Sequence, residues 1–228
     1  MGISRRAQSI FCANPLRTAP SGPGTCERHE ELEPHVFVVD NDQSVRTSLA
    51  NLLAGEDYAV EIFASPAEYL ARVPHPGPAC IILEVQLPGF DGLALLRQFR
   101  EEGRMEQIVF ITRHGDVRTG ISAMKHGAVD FLPKPFRDDE LLSAVAQALA
   151  RSAELVESRT LLAKLTSREF EVFALVVGGL PNKQVADVLG ISERTIKAHR
   201  ARVMQKTGVV SVVELVRLAL KARVAPPH

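Results

Sequence analysis

From His35 onward, short apolar runs alternate with stretches of helical spacing. Val36-Phe37-Val38-Val39 has the length and branched composition of a buried strand, and it ends at Asp40-Asn41-Asp42. Val45, Leu49, Leu52 and Leu53 then recur as on one face of a helix. Val60–Phe63 is a second strand, and Ser65-Pro66 opens a second helix. Residues 79–83 form a third strand running into Glu84, and Asp91 is placed to cap the helix carrying Leu93, Leu95, Leu96 and Phe99. Residues 108–111 and 129–132 supply strands four and five, with helices across 117–126 and 138–151. Five such alternations predict a parallel sheet with helices on both faces, an α/β unit whose working groups gather at the carboxyl ends of the strands. Those ends are Asp40-Asn41, Glu84, Thr112 and Lys134.

The pattern then becomes purely helical. The fifth helix runs on through Leu155 towards Leu161, so residues 156–163 read as a helical linker. Thr166-Ser167-Arg168-Glu169 fits a capping box, in which the Thr hydroxyl and the Glu carboxylate each satisfy a free backbone N–H. Gly178-Gly179 ends that helix, Asn182–Leu189 is the next, Gly190 makes a turn, and Ser192 caps a third. Ser211–Ala222 is a fourth. Residues 1–33 carry Pro15, Pro20, Gly22, Pro23 and Gly24 with little periodicity, and read as a disordered leader.

Charge sharpens this division. The chain of 228 residues has a formal net charge of zero, yet residues 34–157 hold 11 Lys and Arg against 18 Asp and Glu. Residues 158–228 hold 12 against 5, so two regions of opposite field imply two domains with different partners. Much of the positive charge sits on the third C-terminal helix, where Arg194, Lys197, Arg200, Arg202 and Lys206 face a single acid, Glu193. On a helical wheel Ile196 and Val203 share the face that must pack, while Arg194, Lys197, Ala198, Ala201, Arg202 and Gln205 lie opposite. The small Ala198 and Ala201 allow close approach to base edges, and a helix-turn-helix of this composition points to double-stranded DNA. Arg200 falls near the packed side, which favours a structural or phosphate role.

Other chemistry is excluded or unsupported. No apolar run approaches the roughly 18 residues of a membrane span. Cys12, Cys26 and Cys80 show no metal-ligand spacing, and three sparse thiols suit a reducing cytoplasm. Arg5-Arg6 precedes a segment too short and polar for an export signal. His29, His35, His75, His114 and His126 form no ligand spacing, so no metal is expected from them. No phosphate-cradling glycine loop, nucleophile elbow or paired catalytic acid is present, and an enzyme is not expected.

The stretches Leu165–Glu169, Gly179–Ala186, Leu189–Ser192 and Thr195–His199 resemble the LuxR-type C-terminal domain of bacterial transcription regulators, over about residues 164–225. The resemblance implies a four-helix domain whose third helix reads the major groove and whose last helix pairs with its twin. It implies phosphate contacts from Asn182, Lys183 and Thr195, and groove contacts from Arg194, Lys197, Ala198, Ala201, Arg202 and Lys206.

Residues 34–155 resemble a response-regulator receiver of the FixJ/NarL type, carried by Val36–Asp42, Leu87–Gly92, Ile111–Asp116, Ala123–Phe131 and Lys134-Pro135-Phe136. The resemblance implies a CheY-like, doubly wound fold that takes a phosphoryl group from a kinase onto an aspartate after strand three. An acid pair would hold Mg²⁺, a Thr and a Lys would contact the phosphoryl oxygens, and Phe131 would occupy the switch position. Two positions depart from this pattern. Glu84 stands where the acceptor Asp belongs, and Asn41 replaces the second acid, leaving Asp40 as the one acid to face Mg²⁺.

Three readings stay open: a regulator controlled by something other than aspartyl phosphate, a conventional phosphorylation-driven switch, and an interaction protein that titrates a related regulator. Within the first, Glu84 is either inert or an imitation of the phosphorylated state. Expected partners are DNA and a second copy, through the last helix and the receiver. A histidine kinase and RNA polymerase enter through the resemblance alone.

Overall fold

The computed structural model describes residues 33–113 and 117–225, so the leader expected at 1–33 lies almost wholly outside the described residues. These residues form two compact units that divide between Ala153 and Glu154.

In the first unit, β1 (His35–Val39), β2 (Ala59–Phe63), β3 (Ala79–Glu84), β6 (Gln107–Thr112) and β7 (Asp130–Pro133) make one sheet in the order β2-β1-β3-β6-β7. Every pairing in it is parallel. The continuous apolar runs explain the order: all six residues of β3 and of β6 are buried, as a central strand covered on both faces requires. Helices α1 (Gln43–Ala54), α2 (Pro66–Ala71), α3 (Gly92–Glu101) and α4 (Val117–Lys125) connect the strands. One core layer gathers Val36, Val38, Leu53, Cys80, Ile82, Val109 and Leu141, the other Phe37, Tyr69, Ile81, Leu83, Phe99 and Phe110. Burying one such side chain contributes about 1.5–3 kcal/mol before entropy is counted.

The periodicity missed a short hairpin, β4 (Gln86–Leu87) with β5 (Phe90–Asp91), which turns at Pro88-Gly89. Gly89 has φ +71°, the left-handed conformation wanted after a proline in a type II turn. The signal was therefore in the dipeptide. Asp91 then caps α3 by accepting from the Leu93 N–H, as expected.

Helix α5 runs from Asp138 to Ala163, so the stretch expected as a helical linker is helical. Within it Leu162 sits in the core of the second unit with Leu165, Phe170, Phe173 and Val203. That unit contains α6 (Ser167–Val177), α7 (Asn182–Leu189), α8 (Glu193–Thr207) and α9 (Val212–Lys221). The expected capping box at Thr166 and Glu169 is formed. Gly190 closes α7 at φ +66°, where a side chain would be strained, and this releases the chain into the turn before α8. Among the described residues no helix is long and apolar enough to cross a membrane.

At the amino ends of the strands, His35 stacks on Phe37 and tilts against His75, and Glu61 Oε1 lies 3.0 Å from His35 Nε2. Burial, the larger influence, lowers the His35 pKa from 6.5; Glu61 opposes it, while His75 and Arg72 reinforce it. Folding thus disfavours the charged ring, and the stability linked to it is full above pH 6.5 and is lost as pH falls through the lower folded value. Thermal unfolding from about pH 7 to about pH 5.5 should show a smaller loss of stability in His35→Gln than in the parent. Equal losses would remove His35 from the account.

Candidate functional site

The residues singled out in the sequence fall into two groups, one in each unit. In the first unit Asp40, Glu84, Thr112 and Lys134 converge at the carboxyl edge of the sheet because β1, β3 and β6 end there and β7 leads into Lys134. Asp40, Glu84 and Thr112 are buried. Lys134 Nζ sits between the two carboxylates, 2.7 Å from Asp40 Oδ2 and 2.8 Å from Glu84 Oε2. The Lys134 backbone N–H donates to the Thr112 carbonyl at 2.7 Å, which ties the residue after β7 to the end of β6. The remaining oxygens are also engaged: Asp40 Oδ1 accepts from the Asp42 N–H at 2.8 Å, and Glu84 Oε1 from the Gln86 N–H at 3.1 Å.

Asn41 is exposed and supplies no charge. Asp42, the next acid along, does not replace it. Its carboxylate caps α1, accepting from the Ser44 N–H at 2.9 Å and the Ser44 hydroxyl at 2.7 Å, and it pairs with Arg113. Those Ser44 bonds, and then Arg113, hold the Asp42 carboxyl down to about 2. As a donor set for Mg²⁺ this is poor. The ion needs a nearly octahedral shell of hard, preferably anionic oxygens, whereas both buried carboxylates here share one ammonium and the third acid is tied to a helix cap. Phe131 packs its ring against Gly120 of α4, where an added Cβ would stand 3.2 Å from Cδ1. It is half-buried, so the expected switch position is part of the packing between β7 and α4.

In the second unit, α8 buries Ile196, Val203 and Thr207 and exposes Arg194, Thr195, Lys197, Ala198, Ala201 and Arg202. The wheel therefore sorted the two faces correctly. Lys183 is exposed on α7. Lys197 lies 3.3 Å from Glu193 one turn earlier, with both side chains largely exposed. Thr195 shares its hydroxyl with the cap Ser192 at 2.8 Å.

Two of the residues expected at the DNA also make internal bonds. Asn182 accepts a hydrogen bond from Arg200 through Oδ1, pinning α8 to the start of α7. Lys206 Nζ lies 2.6 Å from Glu169 Oε2 and 3.2 Å from the Lys164 carbonyl. Burial would raise the Glu169 pKa, but the bonds from Lys206 and from the Thr166 cap outweigh it and lower the carboxyl below its ordinary range. Lys206 thus braces α8 against the α6 cap, a role beside the DNA contact expected of it. Nothing in the spacing announced this, because the partners stand 37 positions apart.

The two lysines should separate cleanly in experiment. Lys206→Ala leaves a buried carboxylate short of its cation and should lower stability by about 1–2 kcal/mol, with the salt slope of DNA binding unchanged. Lys183→Ala should leave the melting temperature alone and reduce that slope by about 1. A reduced slope in Lys206→Ala would return Lys206 to the phosphates.

Comparison with known proteins agrees with both halves of this arrangement. The family described as response regulator receiver domain matches residues 36–146, and that described as bacterial regulatory proteins, luxR family, matches residues 163–219. The transcriptional regulatory protein FixJ of Azorhizobium caulinodans is 42% identical over 198 residues, covering 84% of this chain and 94% of the relative. Response regulator protein TodT of Pseudomonas putida strain F1 is 39% identical, over 80% of this chain and 84% of that one. Among solved structures, the response regulator StyR shares 42% identity with a TM-score of 0.52, covering 83% of this chain and 99% of the other.

Proposed function

The chain belongs to the response regulators that join a receiver domain to a LuxR-family DNA-binding domain, and from this premise we propose that its switch is not ordinary aspartyl phosphorylation. It is a DNA-binding transcription regulator of the FixJ type, from a family of regulators rather than of enzymes. The observation that carries the proposal is the occupied receiver pocket. The acceptor position holds Glu84, whose carboxylate already reaches Lys134 at 2.8 Å, and Asn41 removes one anionic ligand of Mg²⁺.

A glutamate places its carboxylate about 1.5 Å, one C–C bond, beyond an aspartate's. It therefore occupies space that an incoming phosphoryl group needs. Its contact with Lys134 also favours a second reading, in which Glu84 serves as a built-in anion imitating the phosphorylated state. That imitation is partial, because a carboxylate carries one charge where a phosphoryl group carries nearly two. Under either reading the chain acts through abundance, a partner or a ligand.

DNA is bound by the exposed face of α8, with Lys197, Arg194 and Arg202 around Ala198 and Ala201, and with Lys183 and Thr195 on the backbone. Asn182 remains in this set through its side-chain NH₂, its oxygen being committed to Arg200. The dimer forms through α9, where Val213 and Leu220 are 62% and 71% exposed one heptad apart. The receiver contributes a second contact. The cytoplasm is the compartment in which such a protein meets DNA.

The test is promoter binding by unmodified protein, followed by fluorescence anisotropy at fixed salt with and without acetyl phosphate and Mg²⁺. The expected isotherms superimpose. An acid-stable, base-labile adduct on the native chain that raises DNA affinity would overturn the proposal.

A further inference from the structure

Arg113 directly follows Thr112 at the carboxyl end of β6, and Asp42 stands just after β1 as the cap of α1. In the sheet β3 lies between those two strands, and all three run parallel. The ion pair from Arg113 Nη2 to Asp42 Oδ2 therefore passes across the end of the strand that carries Glu84. Both ends are anchored. Asp42 is fixed by its own N–H to Asp40 Oδ1 at 2.8 Å and by its two bonds from Ser44, while Arg113 is carried by the last residue of a fully buried strand.

We propose that the Asp42–Arg113 pair is a strap over the receiver pocket, tying the end of β6 to the cap of α1 with a protein cation. The charges at the site make sense of it. Asp40, Asp42 and Glu84 bring three negative charges to one edge, Lys134 neutralises one of them, and Asn41 leaves no acid pair to recruit a divalent ion. Arg113 supplies the second positive charge from within the chain. The neutral Asn41 cannot compete for the guanidinium, so the strap selects Asp42. This deepens the reading that the receiver does not depend on phosphoryl transfer, and rests on it for its regulatory meaning.

The strap's strength follows from its exposure. Arg113 is 59% and Asp42 33% exposed, so the pair is screened by salt and shifts the closed population severalfold without locking it. Access to the pocket then responds to ionic strength and to any ligand that competes for Arg113 or Asp42.

Hydrogen–deuterium exchange on the full chain tests this. The readout is the Gln86 amide, bonded to Glu84 Oε1, and the Asp42 amide, bonded to Asp40 Oδ1. Arg113→Ala should speed exchange at both by about threefold, the scale of an exposed ion pair. Asp42→Asn should do the same at Gln86 while still capping α1, since Asn caps as well as Asp. Raising salt from about 0.01 M to about 1 M should reproduce the effect in the parent and have none in Arg113→Ala.

Equal exchange in all three proteins, or a salt response that survives in Arg113→Ala, overturns the strap. A rise that extends to the Ile81–Leu83 amides in Arg113→Ala reports global loosening, and then Asp42→Asn with the parent's salt response decides. Phosphoryl labelling of the native chain would defeat the proposed function and leave these exchange results standing. Loss of the exchange effect defeats the strap alone.

Discussion

Asn41→Asp combined with Glu84→Asp turns the receiver into a phosphoryl acceptor: with acetyl phosphate and Mg²⁺ it labels about a hundredfold or more above the parent. The magnitude rests on position. Shortening residue 84 by one methylene withdraws its carboxylate from Lys134 by about 1.5 Å, opening room for an in-line transfer. Misplacement near 1 Å costs on the order of a hundredfold in such a step. Asp at 41 restores a full negative charge for the metal. Thr112 is buried and Lys134 bonds Asp40 at the same sheet edge, so under the proposed reading only residues 41 and 84 need to change.

Each single variant should fall short, since Glu84→Asp alone lacks a metal cage and Asn41→Asp alone keeps the misplaced carboxylate. The measurement is acid-stable, base-labile label per chain, with thermal unfolding as the control for folding. Labelling of the parent at the double variant's rate would refute the account of residue 84.

Lys197→Ala should narrow the discrimination between the cognate operator and single-base mismatches by about 1–3 kcal/mol, a factor of roughly five to 150, if Lys197 pairs with a guanine. Lys197 lies on the exposed face of α8 beside Ala198 and Ala201, one turn from the Ser192 cap, where a recognition helix meets base edges. Its contact with Glu193 does not hold it back, because an exposed pair of this kind is worth less than about 1 kcal/mol and its partner is a single flexible side chain. The variant should leave the melting temperature unchanged, as neither partner is buried. Footprints identical in position and mismatch tolerance would remove Lys197 from base reading. A uniform loss on all sequences would make it a phosphate contact.

Most of the architecture was legible before any coordinates. The runs at 36–39, 79–83 and 108–111 were apolar on both faces, which only a covered parallel sheet tolerates, and β1, β3 and β6 occupy them. Thr166 with Glu169, Gly190 and Ser192 announced the helix ends of the second unit through local hydrogen-bonding chemistry, and each end is where that chemistry placed it. The β4–β5 hairpin was missed because two-residue strands have no period to detect, although Pro88-Gly89 signalled the turn. The apolar positions of α5 serve two cores in succession, and no single stripe runs its length.

The candidate sites divide in the same way. Residue types settled which groups stand at the strand ends and which face of α8 is cationic, since both follow from periodicities of two and 3.6 residues. Partnership between distant charges obeys no periodicity. That Lys134 bridges Asp40 and Glu84, that Lys206 turns inward to Glu169, and that Arg113 reaches Asp42 depend on how strands are ordered and helices stacked. Local chemistry determined the elements, their caps and the identity of the altered acceptor, because those are settled by neighbours in the chain. Only the tertiary structure decided which cations remain exposed and which pair within the fold, because Coulomb attraction falls with distance in space and takes no account of separation in sequence.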